Sequence, residues 1–256
     1  MNMDEGKVRV DLGGGLEAYL AAADETAAEL LASEDSLVAT LRQYDLHFRT
    51  RLWSAGAPDA IALILYMNAY QMFLAGVRTA VSGHSVAVFP LLRTALESAA
   101  YGGLIAAKPD LAPIWTSRHR DDAARSACRK AFTFAKAIRP LKERALDLHD
   151  LAVLAYDGAI DFGAHPNVKG VLGHVLIDEE RSDEFAAVTH TSLYGARHIE
   201  TVRGLCACLD FGLAIIGVVA VAGTSATLQV AAELQALSDA KNAATEPYSH
   251  LNNPSP

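Results

Sequence analysis

Residues 61–77 read IALILYMNAYQMFLAGV, and residues 205–222 read LCACLDFGLAIIGVVAVA. The reading of these two runs decides the fold. Each falls short of the roughly 20 uninterrupted apolar residues that a membrane-spanning helix needs. Each also holds polar groups, Asn68 and Gln71 in the first and Asp210 in the second, which are costly in hydrocarbon. Both runs are therefore predicted to be buried central helices, not membrane spans. Around them the 256-residue chain is 51% hydrophobic, and alanine is the commonest of those residues, which favours close-packed helices over β-rich sheets. The expected fold is all-α, a single multi-helix bundle.

The helical pattern extends to both sides of the first run. Leu16–Leu31 and Ser36–Trp53 read as an amphipathic pair. Pro58-Asp59 opens the long apolar helix, which Ser82-Gly83 closes. His84–Ala106 follows, with Pro90 expected to start or kink its regular part. A polar helix is predicted from Pro113 to Ile138, interrupted at Arg139-Pro140, and a further helix runs to Ile160. Val171–Ile177 and Phe185–Thr189 flank a charged turn and read as a short embedded β-hairpin over 171–189. Helix resumes from Ser192 through the second apolar run, breaks at Gly223–Ser225 and continues to about Ala243. The bundle thus spans 1–243, and 244–256, rich in Pro, Asn and Ser, is expected to be a disordered tail.

Three cysteines without CxxC spacing argue against a disulfide or zinc framework, and the first fifteen residues resemble neither a secretory signal nor a transit peptide. A cytoplasmic location is expected.

The chemistry-bearing residues lie in islands. Arg93 and Glu97 are four apart in a nearly uncharged helix, so they share one face with Phe89, Ala100 and Leu104. An exposed pair in this order, cation before anion, gains only a few tenths of a kcal/mol. Inside an apolar stripe, the pair is expected either to orient neighbouring helices or to bind an anion through Arg93, with Glu97 fixing the guanidinium. Removing one partner of such a pair, if buried, is expected to cost about 3 kcal/mol or more. His165, held extended by Pro166, is the candidate acid/base or ligand partner of Arg93 and Glu97, unless it serves only as a turn residue. Tyr101, Tyr156 and Asp161 are candidate ligand-binding neighbours. Asp157, Asp161 and His165 are spaced by four, but Gly163 and Pro166 break the helix that would align them. No HExxH, Glu-x-x-His, Walker or GxGxxG motif occurs, so no metal and no cofactor are expected.

Basic residues concentrate between Arg118 and Arg144, where Arg118, Arg125, Arg129 and Lys136 fall on roughly one face of the predicted helix. They form a candidate nucleic-acid contact. A net charge of −8 argues against RNA as a partner.

Leu92-Arg93-Thr94-Ala95-Leu96-Glu97 and His165-Pro166-Asn167 together resemble a group of uncharacterised bacterial helical proteins, over about Ile61 to Gly170, in which a Leu-Arg-x-x-x-Glu helix precedes a His-Pro turn. A more distant similarity is to HEPN-type bundles, some of which are ribonucleases or nucleotide-linked defence proteins with an Arg-x(4 to 6)-His motif. Arg42–His47, Arg78–His84 and Arg144–His149 fit that spacing, and none includes His165. The resemblance implies a stress- or phage-defence setting. The function expected is a binding or regulatory bundle with a polar pocket of Arg93, Glu97 and His165 for a small anionic or nucleotide-like ligand. The alternatives are a metal-independent HEPN-like ribonuclease, with those three residues catalytic, and a structural protein whose apolar stripes bury a homodimer interface.

Overall fold

A computed structural model describes residues 15–51, 59–164, 166, 168–178, 187–222 and 228–252. It is a helical bundle. The chain opens with α1 (Gly15–Ala32) and α2 (Ser36–Arg51), followed by α3 (Ala60–Val81) and α4 (Ser85–Ala107). Asp59 caps α3 as its side chain accepts from the N–H groups of Ile61 and Ala62 at 2.8 and 3.3 Å, satisfying donors that a helix start leaves open. Gly83, at φ +78°, turns the chain into α4 in a conformation that favours glycine. The Tyr194 N–H donates to the Gly83 carbonyl at 3.0 Å, so a later loop clasps this turn.

α4 packs along α3, and α10 (Ile199–Ala222) lies across both. α10 is the centre of the molecule, with Leu205, Leu209, Phe211 and Ile215 almost wholly buried. The close approach of α2 and α3 to α10 depends on Gly212, where a Cβ would lie 2.6 Å from Tyr44 and 3.0 Å from Phe73. α11 (Leu228–Thr245) covers α2 and α10. Asp210, the acid inside the apolar run, meets Lys241 of α11 at 2.7 Å, and Asn68 of α3 donates to Ser98 of α4 at 2.8 Å. Arg144 donates to the Val221 carbonyl at 3.1 Å, placing a cation at the C-terminal end of α10, where the helix dipole favours positive charge.

Pro90 sits inside α4 and leaves the Val86 carbonyl without its helical donor. Gly163 packs against that carbonyl so closely that a Cβ there would lie 2.7 Å from it.

Several expectations need correction. The polar helix predicted over 113–138 is three pieces: α5 (Ala112–Thr116), α6 (Asp122–Ala131) and α7 (Phe134–Arg144). Asp121 and Thr133 cap the second and third by accepting from Ala124 and Lys136, so side-chain capping cuts what periodicity had joined. α7 continues through Pro140, which is exposed, so water can reach the carbonyl that the proline leaves free. α8 (Leu146–Ala159) passes into a π-turn at Ile160–Ala164. The strand expected from Val171 starts at Val175, because Val168–Leu172 is a short helix, α9. Strands β1 (Val175–Asp178) and β2 (Ala187–His190) pair antiparallel, with Val175 opposite His190. The helix expected from Ser192 begins at Ile199. The tail expected to be disordered from 244 instead carries α11 to Thr245 and winds as a 3₁₀ helix over Glu246–Asn252. Tyr248 packs against the core there, an aromatic anchor that composition alone undervalues.

Candidate functional site

The site grows from α4. Its apolar face toward α3 and α10 buries Leu92, Ala95, Leu96 and Ala99, while Arg93 and Glu97 emerge on the side where α8 lies. Arg93 Nε donates to Glu97 Oε1 at 3.2 Å, and Arg93 Nη2 donates to the Tyr156 hydroxyl at 2.9 Å. That hydroxyl in turn donates to Glu97 Oε1 at 3.1 Å. Three side chains from α4 and α8 thus close a ring of hydrogen bonds.

Aromatic groups wall the ring. Tyr156 stacks on Phe134 of α7 with ring centroids 4.0 Å apart and planes 8° apart, and the Arg93 guanidinium lies 4.8 Å from the Tyr156 ring centre, within cation–π range. Tyr101, one turn beyond Glu97, meets Phe132 edge-on at 5.5 Å. Burial, then the nearby Glu97 charge, pushes the Tyr101 hydroxyl up to about 12. Burial and Glu97 also raise Tyr156, against the opposing pull of Arg93. Burial works against the charge of Arg93, but Glu97 and Tyr156 outweigh it and hold its pKa above the ordinary value.

The pair is not sealed. The Arg93 side chain keeps 20% of its exposure and Glu97 keeps 28%, so water screens the pair and removing one partner costs less than it would in a closed core.

The remaining candidates fall differently. His165, like Asn167, lies outside the described residues. Asp161 stands on the π-turn and pairs with Lys169 at 2.5 Å, half exposed, rather than joining the ring. Phe162 beside it packs on Phe89 at 5.6 Å. Arg118 lies in the turn before α6, Arg125 and Arg129 are on α6 and Lys136 is on α7, so the single helical face expected for them is broken twice. All four are exposed, but Arg125 is paired with Asp122 at 2.9 Å, and Lys136 turns back to the Lys130 carbonyl. Phe134 was not foreseen as part of the site. Its signal is the Thr133 cap just before it, which starts a new helix and turns the ring toward Tyr156. Among the described residues no three His, Cys, Asp or Glu side chains converge as metal ligands would.

Two concavities lie elsewhere. One of about 560 Å³ is lined by Glu29, Glu34, Asp35, Arg197 and Tyr248. The other, about 140 Å³, is an apolar groove between α2 and α3 lined by Leu41, Phe73, Leu74 and Val77. Neither is lined by Arg93, Glu97 or Tyr156.

Comparison with known proteins finds no matching family model, curated protein or solved structure.

Proposed function

We propose that this chain is a cytoplasmic binding or regulatory bundle whose ligand-responsive site is the Arg93–Glu97–Tyr156 ring, with β1 and β2 as the strands of a short embedded β-hairpin. The observation that carries this reading is the partial exposure of a charged ring on an otherwise apolar helix. Tyr156 is the exchangeable member. An incoming anion that takes its place on Arg93 replaces a hydrogen bond that the guanidinium donates to a neutral hydroxyl with one donated to a charged acceptor, while the tyrosine keeps its bond to Glu97. Because the tyrosine belongs to α8, that exchange loosens α8 from α4 and couples occupancy to helix packing. A partly exposed guanidinium suits a small anion, such as phosphate, a carboxylate or the phosphate end of a nucleotide.

The ribonuclease alternative rests on the HEPN resemblance, as does a defence setting. In the structure the arginines of its three Arg/His segments serve the fold: Arg42 donates to the Leu31 carbonyl, Arg78 to Asp24 and Ser82, and Arg144 to the Val221 carbonyl.

Calorimetric titration with inorganic phosphate, adenosine monophosphate and citrate at low salt tests the proposal. Binding is expected for at least one of them, lost in Arg93→Met and tightened in Tyr156→Phe, which removes the internal competitor. No binding by any of the three, or binding unchanged in Arg93→Met, sinks it.

A further inference from the structure

The outward side of α3 carries a second, unrelated feature. Its exposed residues are Ala60, Ile64, Met67, Gln71, Leu74 and Arg78, spaced four, three, four, three and four. That alternation is the seam of a helix that packs lengthwise against another helix. Ordinary solvent faces are polar, yet here Ile64 is 54% exposed, Met67 45% and Leu74 40%. No charge falls between Asp59 at one end and Arg78 at the other.

We infer that the α3 seam is a homodimer interface in which α3 packs antiparallel against α3 of a second copy. Reversal about the midpoint of the seam maps it onto itself, as a two-fold interface requires. Ile64 then meets Leu74 of the partner subunit, and Met67 meets Gln71 of the partner subunit. Arg78, which Asp24 of its own chain also holds at 2.6 Å, comes to Ala60 of the partner subunit, beside the partner's Asp59, so opposite charges lie near each other at both ends. A parallel copy would set like ends together. Antiparallel pairing also opposes the two helix dipoles.

The face is large enough. Its seam runs about 27 Å at 1.5 Å per residue. With α4 alongside, the surface is about two helices, or 20 Å, wide, which gives roughly 500 Å² per copy and meets the lower bound for a specific interface. A lipid surface fits less well. Helices that lie on membranes carry Lys and Arg beside the apolar face, whereas the one cation of α3, Arg78, is paired with Asp24 at 2.6 Å.

Sedimentation of the full chain from about 1 to 100 µM tests this, since dimers dissociate by mass action. Wild type is expected to be a dimer, and Ile64→Lys or Leu74→Lys is expected to raise its dissociation constant at least about a hundredfold with an unchanged far-ultraviolet circular dichroism spectrum. Gln71→Arg, at an exposed polar position of the seam, serves if either variant fails to fold and is likewise expected to weaken the dimer. The double variant Met67→Cys/Gln71→Cys is expected to form a covalent dimer on mild oxidation, which tests the antiparallel register. A wild-type monomer throughout the range overturns the inference, as does a dimer unaffected by the seam variants. Ile64-dependent binding to vesicles of phosphatidylcholine and phosphatidylglycerol by a monomer would assign the face to a membrane instead.

Discussion

α3 and α10 are alike in length and apolar composition and opposites in the fold. Their most apolar 18-residue windows have mean hydropathies of 1.6 and 2.4, yet 33% of the first is buried against 72% of the second. By length and composition both are apolar enough to cross a membrane. α10 is covered by α2, α3, α4, α8 and α11, and Asp210, the acid inside its apolar run, finds Lys241. α3 is covered by α1, α2, α4 and α10 and keeps an apolar stripe outward. Hydrophobicity says that a helix face wants covering; it does not say whether the same chain supplies the cover.

The comparison breaks first at Gly212. A larger side chain there drives into Tyr44 and Phe73, and overpacking at so tight a crossing is expected to cost about 3 kcal/mol. Gly212→Val should lower Tm by about 6–12 °C in a thermal melt; a wild-type Tm would mean that α10 is not tightly enclosed.

A smaller effect is expected on α4, which packs on both α3 and α10. Arg93→Met leaves Glu97 with Tyr156 as a neutral partner and, given the exposure of the pair, should cost about 1–2 kcal/mol in urea titration. This is below the figure expected for a sealed pair. A loss above about 4 kcal/mol would show that the ring is closed to water, in the range for a broken buried pair.

The α3–α4 turn tests how firmly the end of the exposed helix is tied down. Burial lowers the pKa of His84, whose Nδ1 has no hydrogen-bond partner among the described residues, and burial likewise lowers His174. The unfolded chain therefore takes up protons first as pH falls. Stability is complete above the ordinary histidine range near pH 6.5 and drops as pH falls toward the lowered folded values. Melts from pH 8 to 5 should show the loss, and His84→Gln should flatten it. An equal slope in that variant would assign the effect to other groups.

The smallest change is expected on the outward seam. Ile64→Ser should alter the stability of the dilute monomer by no more than about 0.5 kcal/mol, as at an ordinary surface site, while weakening association. A loss of several kcal/mol would mean that Ile64 is packed within its own subunit.

Much of the bundle was legible from local signals. Asp59 marked the start of α3, Ser82-Gly83 its end, and the four-residue spacing of Arg93 and Glu97 placed them on one face, because capping and helical periodicity act over a turn or less. The breaks at Asp121 and Thr133 were missed because hydrophobic periodicity runs past them, and Asp and Ser/Thr caps compete with it only weakly in a sequence. Tyr156 was named as a neighbour of the site, but its role as the bridge between Arg93 and Glu97, and the stacking of Phe134 on it, depend on how α7 and α8 lie against α4.

By itself, the sequence determined that the chain is helical, that two apolar helices dominate it and that a charged pair interrupts one helix of the core, since these follow from propensity, spacing and burial preference along a single segment. Only the tertiary structure decided which apolar helix is enclosed, that the charged pair is open to water and closed by a tyrosine, and that the polar residues of the apolar runs are divided among α4, α11 and solvent. Those outcomes depend on which surfaces meet across the bundle, and the contacts between segments far apart in the chain leave no periodic trace in either one.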